Sequence, residues 1–303
     1  MHIMILGAGA MGCLFGGGLS ACHKVTLVDT DPEKVAAIRS RGVRIRARDG
    51  DRQYYPAAFL PRELPEEVPQ LLLVFVKSMY EEAALEGVRH LIGPDTWLMS
   101  LQNGMGHEAV LGRYQRPGRI IIGATQHNSS LLEKAYVNHG GGGQTHIGPL
   151  EGPAEALQEV ADALTAGGFS ASVAENVRGI IWNKLFLNAS ASALTALLQC
   201  PLGTVVDSAP VWEAAKSLIA EAVAVANAEG QQFDAEQVTE EIRRHLEGAK
   251  GGYTSIYADI RDGRRTEVDT ISGSIVAAGA RLGVETPRHS LMVQLIHAME
   301  RKA

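Results

Sequence analysis

Lysine, asparagine and serine recur at one spacing late in the chain, within a segment that is otherwise mostly apolar. The stretch Gly179-Ile180-Ile181-Trp182-Asn183-Lys184-Leu185-Phe186-Leu187-Asn188-Ala189-Ser190-Ala191-Ser192 places Lys184, Asn188 and Ser192 four residues apart. On a helix that spacing stacks the three side chains on one face. Ile181, Leu185, Leu187 and Leu194 flank them. A solvated stripe of an amphipathic helix usually carries several charges. This one carries a single cation and two small hydrogen-bonding groups, which suits a face turned toward a ligand. The chemistry it offers is carbonyl reduction. A carbonyl oxygen gains charge as hydride reaches its carbon, and a proton donor must stand beside it. A lysine ammonium can stabilise that charge and give up the proton.

Carboxylates gather further on, in Ser255-Ile256-Tyr257-Ala258-Asp259-Ile260-Arg261 and Gly263-Arg264-Arg265-Thr266-Glu267-Val268-Asp269. One of them could orient the lysine or bind a substrate hydroxyl. The same residues also read as a helix start, with Thr266 as cap and Glu267 and Asp269 in the first turn.

A second kind of chemistry lies at the opposite end. Gly7-Ala8-Gly9-Ala10-Met11-Gly12 follows an apolar run directly and opens a helical pattern. Gly7 permits the tight turn, Gly9 lets the backbone approach a pyrophosphate, and Gly12 permits close helix–strand packing. The helix N-terminus adds free N–H groups and a positive dipole end for the phosphates. Asp29 stands 22 positions after Gly7, at the end of Lys24-Val25-Thr26-Leu27-Val28. A carboxylate there can hold both adenosine ribose hydroxyls and repels a 2′-phosphate, so the pattern favours NAD(H) over NADP(H). Asp31 is the better cap for the helix beginning at Pro32, which leaves Asp29 for the ribose. Val76-Lys77-Ser78 and Leu101-Gln102-Asn103-Gly104 end two further strand-like runs. Ligands of open α/β sheets lie beyond such ends. Lys77 can reach a phosphate or the adenine side, and Asn103 can bond nicotinamide-side groups and substrate. Each alone reads equally well as an ordinary loop residue.

These groups need two different scaffolds. Up to about residue 174, strand-like runs (2–6, 24–28, 71–76, 97–101, 120–124) alternate with helical patterns (32–40, 80–91). Several runs are apolar on both faces, as in a parallel sheet covered by helices. The alternation predicts a Rossmann-type doubly wound α/β sheet over residues 1–174. Residues 43–47 and 53–57 flank Asp49-Gly50, a hairpin signal. The run Gly140 to Gly143 lies between Ala135-Tyr136-Val137 and Thr145-His146-Ile147 and reads as another hairpin tip. From 175 to 303 the pattern predicts an all-helical domain, with helices over 176–199, 208–228, 234–249, 266–282 and 287–301. Gly230 and Gly283 sit where helix C-terminal glycines belong, and Pro287 suits a first turn.

Composition narrows the function class. A net charge of -6 with no long basic run argues against nucleic-acid partners. The longest apolar runs are far too short to span a bilayer, and the N-terminus has no basic n-region, so a cytoplasmic protein without a membrane partner is expected. Three cysteines, Cys13, Cys22 and Cys200, lack C-x-x-C spacing and read as small buried apolar residues in a reducing compartment. The ten histidines are scattered, without metal-ligand spacing.

Together these residues resemble the ketopantoate reductase (2-dehydropantoate 2-reductase) family over nearly the whole chain. The glycine motif, Val76-Lys77, Gln102-Asn103-Gly104, Ile147-Gly148, Trp182-Asn183-Lys184-Leu185 with Asn188, and Gly263-Arg264-Arg265-Thr266-Glu267-Val268-Asp269 with Gly273 carry the likeness. The resemblance implies a helical C-terminal domain like that of 6-phosphogluconate dehydrogenase. It implies Lys184 as general acid and Glu267 as its assistant, touching both substrate and cofactor. Asn103, Asn188, Ser255 and Ser192 would line the site of a small 2-oxoacid. Lys77 would lie near the cofactor, usually NADPH, and a homodimer is compatible. The implied reaction is reduction of 2-dehydropantoate to (R)-pantoate for pantothenate. The chain departs from many members in having Ser192 for asparagine, and Asp29-Thr30-Asp31 where arginine often holds a 2′-phosphate. An NADH-dependent D-2-hydroxyacid dehydrogenase is therefore the alternative enzyme, and a non-catalytic nucleotide sensor the alternative of another class.

Overall fold

The five apolar runs of the first half all become strands, and consecutive buried residues show that these strands are covered on both faces. In the computed structural model, which describes residues 1–300, the first half carries β1 (His2–Leu6), β2 (Lys24–Val28), β3 (Val43–Ala47), β4 (Gly50–Tyr54), β5 (Ala57–Phe59), β6 (Leu71–Val74), β7 (Trp97–Ser100), β8 (Ile120–Thr125), β9 (Asn128–Glu133), β10 (Tyr136–Gly141), β11 (Thr145–Pro149) and β12 (Ala171–Val173). Its helices are α1 (Ala10–Ser20), α2 (Pro32–Arg41), α3 (Glu81–Gly87), α4 (His107–Leu111) and α5 (Gln158–Ala166). The main sheet runs β12-β11-β8-β7-β6-β1-β2-β5, parallel throughout except that β11 pairs antiparallel with β8. The chain steps from β1 outward to β2 and β5, then returns to β6 on the other flank of β1. That reversal is the switch point at which open α/β sheets bind ligands, and the glycine turn after β1 lies there.

The two expected hairpins come out differently. β3 pairs antiparallel with β4, Ala47 opposite Gly50, so the second strand is Gly50–Tyr54 rather than residues 53–57. Gly50 takes φ +122° at the turn. Ala57 instead starts β5, an edge strand parallel to β2. The glycine run is not a hairpin tip. β10 joins β3 and β9 in a second, four-stranded sheet of order β4-β3-β10-β9, while β11 returns to the main sheet. Gly140 and Gly143 let this crossover pass close to neighbouring side chains, because a Cβ would lie 2.2 Å from Asn128 Oδ1 and 2.6 Å from Gln126 Cβ.

Helix α1 is wedged between the two sheets and α5, and Gly16, Gly17 and Gly18 make that possible. Added Cβ atoms would meet Leu27 at 2.7 Å, Ile45 at 2.8 Å and the Gly167 carbonyl oxygen at 2.6 Å, respectively. Phe15, fully buried, stacks on Phe169 at 3.8 Å. Glycine inside a helix costs about 1 kcal/mol against alanine, so close packing must offset it. Gly18→Ala meets backbone rather than a yielding side chain. It should lower stability by about 1–3 kcal/mol, read as a lower denaturant midpoint at unchanged m-value. Cys13 is buried here as expected, whereas Cys22 is exposed, because it falls in the turn that leaves α1.

The second half is helical: α6 (Val177–Leu198), α7 (Gly203–Asp207), α8 (Ala209–Ala228), α9 (Ala235–Gly248), α10 (Ser255–Arg261), α11 (Ser272–Leu282) and α12 (Pro287–Glu300). Arg301, the expected last residue of α12, lies outside the described residues. Trp182 and Phe186 bury one side of α6, and the Trp182 indole donates to Glu229 Oε2 at 2.9 Å. The buried Glu221 carboxylate accepts the backbone N–H groups of Arg288 and His289 at the start of α12. Gly283 takes the left-handed conformation after α11. Residues 266–271 do not belong to α11, which starts six residues later than its pattern suggested. Thr266 N–H is held by Glu300 Oε1 at 2.7 Å, and the Glu267 carbonyl accepts from Thr270 and Ile271 N–H. Those bonds curl the segment into a turn. Among the described residues no helix is long and apolar enough to cross a membrane.

By contact density the chain forms two units, Met1–Gln102 with His107–Arg178, and Asn103–Gly106 with the chain from Gly179 onward.

Candidate active site

In the first unit the glycine turn has the close backbone packing and open face that a dinucleotide would need. Gly7 takes φ +95°, and a Cβ there would lie 2.8 Å from Val76 N. A Cβ on Gly12 would lie 1.8 Å from the Gly7 carbonyl oxygen, which fixes how closely α1 approaches the turn. Around Gly9 a Cβ would meet nothing within 4 Å, so the backbone faces open space there. The first turn of α1, Ala10 and Met11 included, has no side-chain cap. Its N–H groups are the donors a pyrophosphate uses. The residues present thus fit the nicotinamide dinucleotide.

The Asp29 carboxylate is engaged on both oxygens. Oδ2 accepts from Ala8 N–H at 2.8 Å and from Lys34 Nζ at 2.8 Å, and Oδ1 accepts from Asp31 N–H at 2.9 Å. Asp31 caps α2, taking Glu33 N–H at 2.9 Å and Lys34 N–H at 3.3 Å. The capping role therefore falls on Asp31 as expected, but Asp29 is not left idle: it ties the glycine turn to the end of β2. One lone pair on Oδ1 remains for a ribose hydroxyl. Lys77 is half-buried just beyond β6, before the turn Ser78–Tyr80.

Sequence alone gives Gln102 no role, and the topology supplies one. Its Nε2 donates to the Val76 carbonyl at 2.8 Å while its Oε1 accepts from Ser100 Oγ at 2.8 Å. It clamps the ends of β6 and β7, neighbours only once the strand order is known. Two further pairs are equally illegible in the sequence. Buried His107 meets buried Glu81 at 2.9 Å, and Arg178 meets Glu108 at 2.6 Å. Burial, the largest influence, raises the Glu108 carboxyl, but Arg178, a backbone hydrogen bond and His107 together leave its pKa below the usual carboxylate value.

In the second unit, residues 103–106 lie against the turn after Thr266. Met105 N–H donates to the Thr270 carbonyl at 2.9 Å. Gly104, at φ +92°, comes so close to that carbonyl that a Cβ would lie 2.0 Å from its oxygen. This brings Asn103 to the turn that carries Glu267. Lys184 projects from α6 and is only partly exposed. Burial lowers its pKa to about 8, and the Glu267 charge works to raise it. Asn188 follows one turn on, half-buried, and Ser192 a turn later, fully buried. Thr195 Oγ1 bonds Thr254 Oγ1 at 2.9 Å, tying α6 to the cap of α10, whose first residue is the exposed Ser255. Lysine, glutamate and amide are thus gathered by three separate segments, 103–106, α6 and the 266–271 turn. An ammonium with a pKa near 8 beside a carboxylate has the chemistry a proton donor needs.

Comparison with known proteins agrees. The ketopantoate reductase PanE/ApbA model matches residues 3–152, and the model of the C-terminal part of the same family matches residues 176–300. The chain is 30% identical to a 2-dehydropantoate 2-reductase of Streptococcus pyogenes, over 99% of this chain and 98% of that one. It is 32% identical to that of Pyrococcus horikoshii over the same shares. Among solved structures, a D-mandelate dehydrogenase with NADH and anilino(oxo)acetate superposes with a TM-score of 0.93 at 28% identity, covering 100% of this chain and 99% of that one. The chain belongs to the ketopantoate reductase family and is an NAD(P)H-dependent oxidoreductase.

Proposed function

We propose that the chain reduces 2-dehydropantoate to (R)-pantoate, the 2-oxoacid step toward pantothenate. The observation that carries this reading is the Lys184–Glu267 pair, an ammonium brought by burial to about pH 8 and held charged by its neighbour. The nicotinamide supplies the hydride when bound. Lys184 stabilises the charge growing on the carbonyl oxygen and passes its proton there, giving the 2-hydroxyacid; water returns a proton to the amine. Glu267 keeps Lys184 protonated and orients it. Asn103, Asn188, Ser192 and Ser255 hold the substrate carboxylate and hydroxyl. Gly7 to Gly12, with Lys77, hold the dinucleotide phosphates, and Asp29 holds the adenosine ribose, favouring NADH.

A second reading has support of its own. The D-mandelate dehydrogenase with NADH is similar over the full length. An NADH-linked reductase of another branched 2-oxoacid is therefore the alternative. Steady-state turnover of ketopantoate, 2-oxoisovalerate and phenylglyoxylate, each with NADH and NADPH, decides between them. Ketopantoate must give the highest kcat/KM for the first reading to stand.

Asn188→Ala and Ser255→Ala should each raise KM for the oxoacid several-fold, the loss of one hydrogen bond to a charged group. The cofactor constant should stay unchanged. A parallel rise in both constants would show a folding defect rather than a lost substrate contact.

A further inference from the structure

The carboxyl end of β2 carries more charge than its own sequence supplies. Asp29, Asp31 and Glu33 lie there with Lys34, and a second cation arrives from a hundred residues downstream. Lys134, in the turn between β9 and β10, places Nζ 3.2 Å from Asp31 Oδ2 and in contact with Glu33. The turn that delivers it is firmly built. Ala135 takes φ +64°, a left-handed conformation that alanine adopts only when its surroundings impose it. The Lys134 carbonyl accepts from Arg41 Nη2 at 2.9 Å, and the Ala135 carbonyl from Arg44 N–H at 2.8 Å. Helix α2 and strand β3 thus fix the backbone from which Lys134 reaches.

The two lysines are not equivalent. Lys34 is 18% exposed and committed to Asp29. Lys134 is 43% exposed, and its partner Glu33 is 78% exposed. Exposed pairs of this kind exchange partners at little cost. A ribose 2′-phosphate offers nearly two charges and three acceptor oxygens, and lysine serves such a group as a point charge.

We infer that Lys134 is a second residue, besides Asp29, that sets how well the site tolerates a 2′-phosphate on the adenosine ribose. It leaves Asp31 and Glu33 for the phosphate when NADPH binds, and stays with them when NADH binds. The inference rests on the Gly7–Gly12 turn being the dinucleotide site. Gly9→Val tests that separately, because it must weaken NADH and NADPH alike.

The test is equilibrium binding by calorimetry, with NADH, NADPH, 5′-AMP and adenosine 2′,5′-bisphosphate as probes. Lys134→Ala should weaken NADPH and the bisphosphate about fivefold, with NADH and 5′-AMP within about twofold of wild type. Lys134→Arg should retain bisphosphate binding. If Lys134→Ala changes none of the four constants, or changes all four equally, Lys134 is only a brace between the second sheet and α2 and the inference is overturned.

Discussion

Lys184→Ala should lower kcat for 2-oxoacid reduction by about 10²-fold or more, the usual loss when a positioned acid is removed, while NADH should bind as in wild type. The pH profile carries the finer part of this expectation. As the proposed acid, Lys184 would act as its ammonium, and its pKa is lowered to about 8, so reduction should slow as pH rises through that value. Glu267 acts against burial, since its charge raises the pKa. Glu267→Gln therefore moves the falling limb to lower pH, and a limb that stays put would remove Glu267 as the partner of Lys184. The same displacement has a stability consequence of opposite value to the protein. Folding lowers the Lys184 pKa from its ordinary 10.5, so between about pH 8 and 10.5 the unfolded chain binds more protons and stability contributed here rises with pH. Below that window the folded chain holds a charge it disfavours. Lys184→Met should accordingly be more stable than wild type at pH 7 and inactive, the pattern of a residue kept for function at the expense of stability. Near-normal turnover in either variant would refute the acid role.

The parts of this arrangement that could be read from the residues are those set by local spacing. Gly7, Gly9 and Gly12 sit between a strand and a helix, and Lys184, Asn188 and Ser192 repeat at the helical interval; both patterns are complete within a short window. His2–Leu6 and Lys24–Val28 form as read, because a strand buried on both faces has no other way to satisfy its apolar run. What could not be read depends on distant pairing. The glycine run looked like a hairpin tip because its two flanking strands are adjacent in the chain, yet they belong to different sheets. Gln102 bridges β6 and β7 only because the switch of strand order makes them neighbours. The delayed start of α11 depends on Glu300 taking the Thr266 N–H, a partner far along the chain. The Thr266-Glu267 turn is thereby free to carry a charged side chain toward Lys184, which a continuous helix from Thr266 would have directed differently.

The second large effect concerns cofactor choice: kcat/KM with NADH should exceed that with NADPH by about tenfold, and Asp29→Asn should shrink that ratio. Asp29, Asp31 and Glu33 stand at the end of β2, where we propose the ribose binds, against Lys34 and Lys134. A 2′-phosphate brings nearly two further negative charges to a group already net negative by one. The Lys34 ammonium touches Asp29 at 2.8 Å and cancels much of its field, and solvent screens the rest, so a discrimination of about 1–2 kcal/mol is reasonable rather than the larger penalty of a bare carboxylate. The amide of Asp29→Asn keeps an oxygen for Ala8 N–H, which preserves the glycine turn, and it releases Lys34 from its partner. A freed lysine beside the ribose turns a repelling site into an attracting one, so NADPH should improve while NADH loses one hydrogen bond. Asp29→Ala would also loosen the turn and weaken both cofactors, which is why the ratio, and not either constant, is the quantity to measure. A wild-type preference for NADPH would overturn the expectation. A ratio unchanged by Asp29→Asn would leave the preference standing but remove Asp29 as its cause, and would shift the discrimination to Asp31 and Glu33 with the lysine that neutralises them.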